Sequence, residues 1–201
     1  MAGSSDRSSE RAEATREKIV QAARELVVEH GYSGVSTGQI LRRANVSRGG
    51  LYHHFAGKQE LMAAVLEAVE VDFTERMTAA LGDAPDPFAA LEQGVQWYLD
   101  ECLRSQELQR IGLYEGRQAL GWMAWRETIA PYGLSILTAG LDAAMEAGQL
   151  EQADPSALAH MILALLHESV TMILNSEDRT AERERVGPAV ATVIGGLRRR
   201  T

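Results

Sequence analysis

The stretch ALAHMILALLHESVTMIL, residues 157–174, is apolar nearly all the way round a helix. Leu158, Met161, Ile162, Leu163, Leu165, Leu166, Val170, Met172, Ile173 and Leu174 leave no clean polar stripe. A helix that buries every side needs neighbours on every side. The chain must therefore fold as a multi-helix bundle, and with only 201 residues a second subunit is the economical source of some of those neighbours. The last segment supplies a matching face in Val186, Val190, Val193, Ile194 and Leu197, with Gly195 and Gly196 permitting close approach. Leu158, Ile162, Leu165, Leu166, Val190, Ile194 and Leu197 are accordingly the expected dimer interface, the alternative being that both helices are simply core.

The rest of the chain repeats the helical period. Ile19, Ala22, Ala23, Leu26 and Val27 form one stripe, opened by Thr15 as a cap and closed by Gly31. Ser36 or Thr37 opens a short helix with Ile40, Leu41 and Ala44; Asn45 turns the chain, and Ser47 caps a second short helix through about His53. Gly57 and Lys58 begin a long helix continuing to Leu81, followed by a Pro, Gly and Asp cluster at 82–87 that reads as a linker. Further helices are expected at 88–105, 107–113, 121–147, 155–175 and 179–199, with Pro131 kinking or splitting the third of these. Sustained apolar–polar alternation is absent, so the expected class is all-α. No uncharged apolar run reaches 18 residues, so no membrane span is expected.

Charge divides the chain functionally. The net charge is −8, yet residues 1–60 hold nine Lys or Arg against seven Asp or Glu, and residues 30–59 contain no acid at all, where about four would be expected. Within that window lie Arg42, Arg43, Arg48, His53, His54 and Lys58. A basic patch on an acidic protein points to a polyanion as partner. Two short helices joined by a tight turn and packed on a longer one make a helix-turn-helix, whose second helix enters the major groove, about 12 Å wide. Gly49 and Gly50 then keep the contact face slim. Ser47 and Tyr52 can donate to phosphates, Arg48 can read guanine, and Lys58 suits a phosphate at the start of the long helix. His53 and His54 are adjacent and cannot share a face, so one points to DNA and the other to the long helix.

These residues resemble the tetracycline-repressor (TetR) family of transcriptional regulators. The resemblance rests on Thr37, Ile40, Ala44, Val46, Ser47, Gly49, Leu51, Tyr52, His53, His54, Phe55, Lys58 and Leu61, and covers about residues 16–62. It implies that Thr37, Ser47, Tyr52 and Lys58 clamp the DNA backbone while Arg48, Gly50 and His53 lie near bases; Arg42 and Arg43 complete the expected DNA-binding set. Asn45 stands where the family usually has glycine, and Gly50 where a small side chain is common. The expected organisation is a disordered arm at 1–14, a three-helix DNA-binding domain at 15–60, and a helical ligand-binding and dimerisation domain at 61–201.

All three tryptophans lie between 97 and 125, beside Tyr98, Tyr114, Met123 and Tyr132. Aromatic walls with a few polar groups suit an amphipathic ligand, the alternative being that aromatic residues at helical spacing are plain core. Trp97, Tyr114, Arg117, Trp122, Trp125, Tyr132 and His167 are the expected effector residues, with Arg126 and Glu115 as further polar candidates. His160 and His167 lie seven residues apart on one face, but hydrogen-bonded histidines are the better expectation than a metal pair, and no cofactor is expected. The sole cysteine, Cys102, reads as a small buried hydrophobe. An enzyme is disfavoured: "GVSTG" at 34–38 fits a nucleophile elbow only where a strand precedes it. A small-molecule-binding protein without operator recognition, and a DNA-bending protein, are the remaining alternatives; the latter would be basic throughout. With a polar N-terminus lacking a secretory signal, the expectation is a cytoplasmic, dimeric, ligand-responsive repressor reading a palindromic operator.

Overall fold

The computed structural model describes residues 3–82 and 84–199. Helices follow one another as α1 (Gly3–Gly34), α2 (Thr37–Ala44), α3 (Arg48–His54), α4 (Lys58–Ala80), α5 (Pro87–Arg104), a π-helix (Leu108–Glu115), α6 (Gly116–Leu120), α7 (Trp122–Glu146), α8 (Pro155–Leu174) and α9 (Arg179–Gly195). Among the described residues the only extended pairing is an isolated bridge between Leu150 and Arg198. The chain divides into two compact units: Met1–Glu70 with Gln106–Ile129, and Val71–Ser105 with Ala130–Thr201. The domain boundary expected at 60/61 falls inside α4.

α1 is helical from Gly3, so the expected disordered arm is helical over its described part, and Met1 and Ala2 lie outside the described residues. Thr15 is not a cap; its hydroxyl donates to the Arg11 carbonyl at 2.8 Å from within the helix. The reason is compositional. Ala, Arg and Glu between Ser9 and Lys18 are good helix formers, Glu13 and Arg16 approach to 3.8 Å, and nothing there breaks the helix. Gly31 ends the regular run with φ +73°, a backbone that glycine adopts without a Cβ clash.

The turn into α3 forms as the residues dictate. Ser36 caps α2 and exchanges bonds with Gln39 as a capping box. Asn45 sits at φ 53°, ψ 47°, the only non-glycine with positive φ among the described residues, and its N–H satisfies the last carbonyls of α2. Ser47 caps α3 by accepting the Gly50 N–H at 3.2 Å. Behind this turn Ile19, Ala23, Leu26, Ile40, Leu51 and Phe55 form the buried centre of the head.

In the second unit α5, α8 and α9 pack together around Phe88, Leu99, Ile162, Leu166, Ile173 and Ile194. Asp86 caps α5 by accepting the Ala89 N–H at 2.8 Å, and the Gln149 side chain accepts the Phe88 N–H at 3.1 Å. Arg183 reaches from α9 to Asp100 at 2.8 Å and to the Gln96 side chain at 3.0 Å. Pro131 does not split α7, although it removes one intrahelical bond; the helix is continuous through it, and the division between units falls beside it, at Ile129/Ala130. The helix expected at 107–113 is a π-helix over residues 108–115. Gly116 is compatible with that wider turn because a Cβ there would stand 2.8 Å from the Ile111 carbonyl oxygen.

Asn45→Ala is expected to cost about 1 kcal/mol, since alanine tolerates a left-handed backbone less well than asparagine, whereas Asn45→Gly stays within a few tenths. Thermal melts of the two variants check this.

Candidate nucleic-acid interface and effector residues

The caps at Ser36 and Ser47 fix the ends of α2 and α3, and the left-handed Asn45 sets their crossing. On this frame Arg42, Arg43, Ser47, Arg48, Tyr52 and His53 are exposed, while Thr37, Gly50, His54 and Lys58 are half-buried. The two adjacent histidines differ in exposure, His53 being exposed and His54 half-buried. The Arg48 guanidinium lies 5.6 Å from the centre of the Tyr52 ring, which is 46% exposed, so the two form one outward cation–aromatic pair.

Three of the expected contact residues also have neighbours within the chain. Arg43 is bound by Glu25 at 2.9 Å and Glu29 at 3.2 Å, and these bonds hold its pKa above the ordinary value. Its charge is largely answered before any phosphate arrives, whereas exposed Arg42 makes no ion pair among the described residues. Lys58 donates to the Tyr32 carbonyl and lies 4.0 Å from the Tyr32 ring centre; burial pulls its pKa down, opposed by Glu115. It is a brace between α4 and the end of α1. A Cβ at Gly50 would meet Val46 Cγ1 at 2.8 Å, so a side chain there would force Val46 to shift, while Gly49 has open space where a side chain would be. Only at Gly49 does slimness leave room for a partner.

The expected effector residues fall in both units: Tyr114, Arg117, Trp122 and Trp125 in the first, Trp97, Tyr132 and His167 in the second. Trp97 packs on Phe73 at 5.2 Å, with Tyr98 edge-on to the same ring. In the first unit Trp125 is buried and donates its indole N–H to the Gly112 carbonyl at 2.7 Å. Trp122 stacks on Trp125 at 5.3 Å, remains 47% exposed, and carries Arg117 at 4.6 Å from its ring. Glu115 accepts the Tyr32 N–H at 2.9 Å and approaches Arg110, so it holds the end of α1. Arg24 of α1 grips Glu107 in a two-pronged bond, one arm at 2.6 Å. Gln59 of α4 reaches the Ala119 carbonyl at 3.3 Å. Sequence reasoning missed the ties to α1 and α4, because pairs 60 to 83 residues apart leave no local pattern.

Residues 19–65 match the family model for bacterial regulatory proteins of the tetR family, and residues 88–197 match that for the tetracyclin repressor-like C-terminal domain. The second match alone spans more than half of the chain. The chain belongs to the TetR family. It is 27% identical over 148 residues, 74% of each chain, to the transposon Tn10 TetC protein of Escherichia coli. The crystal structure of a TetR-family regulator from Pectobacterium atrosepticum superposes with a TM-score of 0.79 at 29% identity, covering 94% of this chain and 97% of that one. RolR in complex with resorcinol shares the fold at 18% identity, with a TM-score of 0.73 over 93% and 90% of the two chains.

Within this TetR-family chain the expected dimer residues need revision. Ile162, Leu166, Val190 and Ile194 are buried in the chain's own core, and Leu158, Leu165 and Leu197 are half-buried. The outward apolar positions are Met161 (67% exposed), Met172 and Val193. The pattern had looked apolar all round because both faces are. By length and composition α8 could cross a membrane, with mean hydropathy 1.7, but its inner face packs on α5 and α9. His160 is exposed with Nδ1 against the Ser156 carbonyl at 2.8 Å, and no metal-holding cluster occurs among the described residues.

Glu70 was not anticipated. Burial pushes its carboxyl up from 4.5 to about 7. The folded chain thus keeps a proton that the unfolded chain releases between those values, so this group's contribution to stability declines as pH rises from about 4.5 to about 7. Glu70→Gln is expected to melt above the wild type at pH 8, by up to roughly 3 kcal/mol, and beside it near pH 4.5. Gly50→Ala is expected to lower the melting temperature and Gly49→Ala to leave it nearly unchanged, by calorimetry of both.

Proposed function

We propose that this TetR-family chain is a ligand-responsive transcriptional repressor that binds a palindromic operator as a homodimer and is released by a small amphipathic or aromatic molecule. The observation that carries the reading is the exposed Arg48–Tyr52 pair on a helix capped and turned as a reading head, in an acid-free stretch of an acidic chain. RolR, a protein of the same fold, is seen with an aromatic ligand, which supports an effector of that kind here. On this reading no catalysis is assigned, and the protein acts in the cytoplasm.

Dimerisation would use the outward face of α8 and α9, around Met161, Met172 and Val193, because that face is apolar and uncovered in the single chain. Two heads would then read half-sites one or more helical turns apart. Release follows from the ties within the first unit. Glu107, Glu115 and Ala119 hold the 106–120 segment to α1 and α4, so an effector displacing that segment moves the head with it. A small change in the separation of the two heads breaks simultaneous contact and leaves each with mainly weak phosphate affinity.

Arg48→Ala should relax sequence preference at one position of each half-site, by about 1–3 kcal/mol, and Arg42→Ala should weaken all duplexes alike and reduce the salt slope by about one. Anisotropy titrations over a salt series separate the two, and identical behaviour would contradict the assignment. Val193→Glu is expected to shift the chain toward monomer in sedimentation and to lower operator affinity while leaving its helix content intact.

A further inference from the structure

One stripe of α1 meets the end of α2. Gln21, Glu25 and Glu29 recur every fourth residue and so line up along one helix face, while α2 carries Arg42 and Arg43 in its last turn, where free carbonyls favour cations. Arg43 is taken by both acids. Its Nη1 donates to Glu25 at 2.9 Å and to Glu29 at 3.4 Å, and its Nη2 donates to the other Glu29 oxygen at 3.2 Å. Gln21 donates to the remaining Glu25 oxygen at 3.0 Å and so orients that carboxylate. Hydrogen bonds from Gln21 and then from Arg43 hold the Glu25 pKa below its ordinary value, which keeps the acid ionised. On the far side His30 Nε2 lies 3.4 Å from Glu29. Two acids that the sequence places just before the acid-free stretch thus reach back into it.

The cluster is open to solvent. Arg43 is 40% exposed and borders a groove of about 380 Å³ that Lys18, Gln21, Glu25, Ala22 and Ala44 also line. Ion pairs this exposed are individually weak, so they do not lock the guanidinium; they compete for it. A pin between α1 and α2 needs only one acid. Two carboxylates on one guanidinium leave the spot net negative, and their paired oxygens offer what a phosphate offers to an arginine. We propose that Glu25 and Glu29 stand in for DNA phosphate, holding Arg43 back from the duplex backbone and so limiting the number of phosphates each head engages. This rests on the reading of the chain as a DNA-binding regulator and names residues that set its affinity. Because phosphate contacts are common to all duplexes, the restraint lowers operator and random-sequence affinity together and makes the salt dependence shallower.

The double variant Glu25→Gln/Glu29→Gln is titrated by anisotropy against a selected duplex and a scrambled one of equal length, over a salt series. Freed Arg43 should raise affinity for both, roughly three- to tenfold near 0.1 M salt, and steepen the salt slope by about 0.9 per head. Two comparisons isolate the cause. In an Arg43→Ala chain the same two substitutions should change affinity by less than about twofold, whereas simple relief of repulsion between acid and DNA would raise it there as well. Glu17→Gln removes an acid that lines the same groove but makes no bond to Arg43 among the described residues, and it should leave the slope unchanged. Circular dichroism checks that each variant is folded, and the single substitutions, each expected to give part of the gain, replace a double variant that is not. Unchanged or lowered affinity in the folded variants, a gain that persists without Arg43, or an equal gain from Glu17→Gln would each overturn the proposal. A chain that binds the selected duplex and shows none of these gains retains the regulator reading and loses this one; a chain that binds no duplex in any form loses both.

Discussion

Two acids on one short stretch, Glu107 and Glu115, hold the reading head to the segment that follows α5. Glu107 takes the Arg24 guanidinium, and Glu115 takes the Tyr32 N–H that Gly31 frees by leaving helical geometry. Both bonds are partly shielded from water, so they are stronger than surface pairs. Residues 106–129 belong with the head in one compact unit.

The head is built as a rigid reader of a polyanion. Its cations are not equivalent: Arg43 is answered by two glutamates, Lys58 braces Tyr32, and Arg42 and Arg48 remain outward. Partial neutralisation has a physical logic, since phosphate attraction is common to all DNA, and a head with fewer uncommitted charges depends more on base contacts. The remaining acidic body adds a long-range repulsion that discourages non-specific coating.

Much of this was legible in the sequence, for local reasons. Ser36, Asn45 and Ser47 act on their own backbone, so their types predict the turn without any knowledge of the fold, and the apolar stripes of α1, α4 and α5 follow from the helical period. Long-range pairing was not legible. Neither Arg24–Glu107 nor the Leu66–Gly116 packing leaves a periodic mark, and the π-helix at 108–115 is set by tertiary contact. On α8 the pattern misled for a definable reason: a helix apolar on both its inner and outer face does not announce which is which, so Ile162 and Leu166 were assigned to the face that Met161 and Met172 occupy.

The account's central claim is that this head reads duplex sequence as one of a symmetric pair. Selection of bound duplexes from a random pool by the purified chain, followed by stoichiometry on the recovered sequence, tests it most directly. An enriched palindrome carrying at least two chains per duplex is the predicted result. Recovery of no preferred sequence, or of an asymmetric one bound by a single chain, would contradict it.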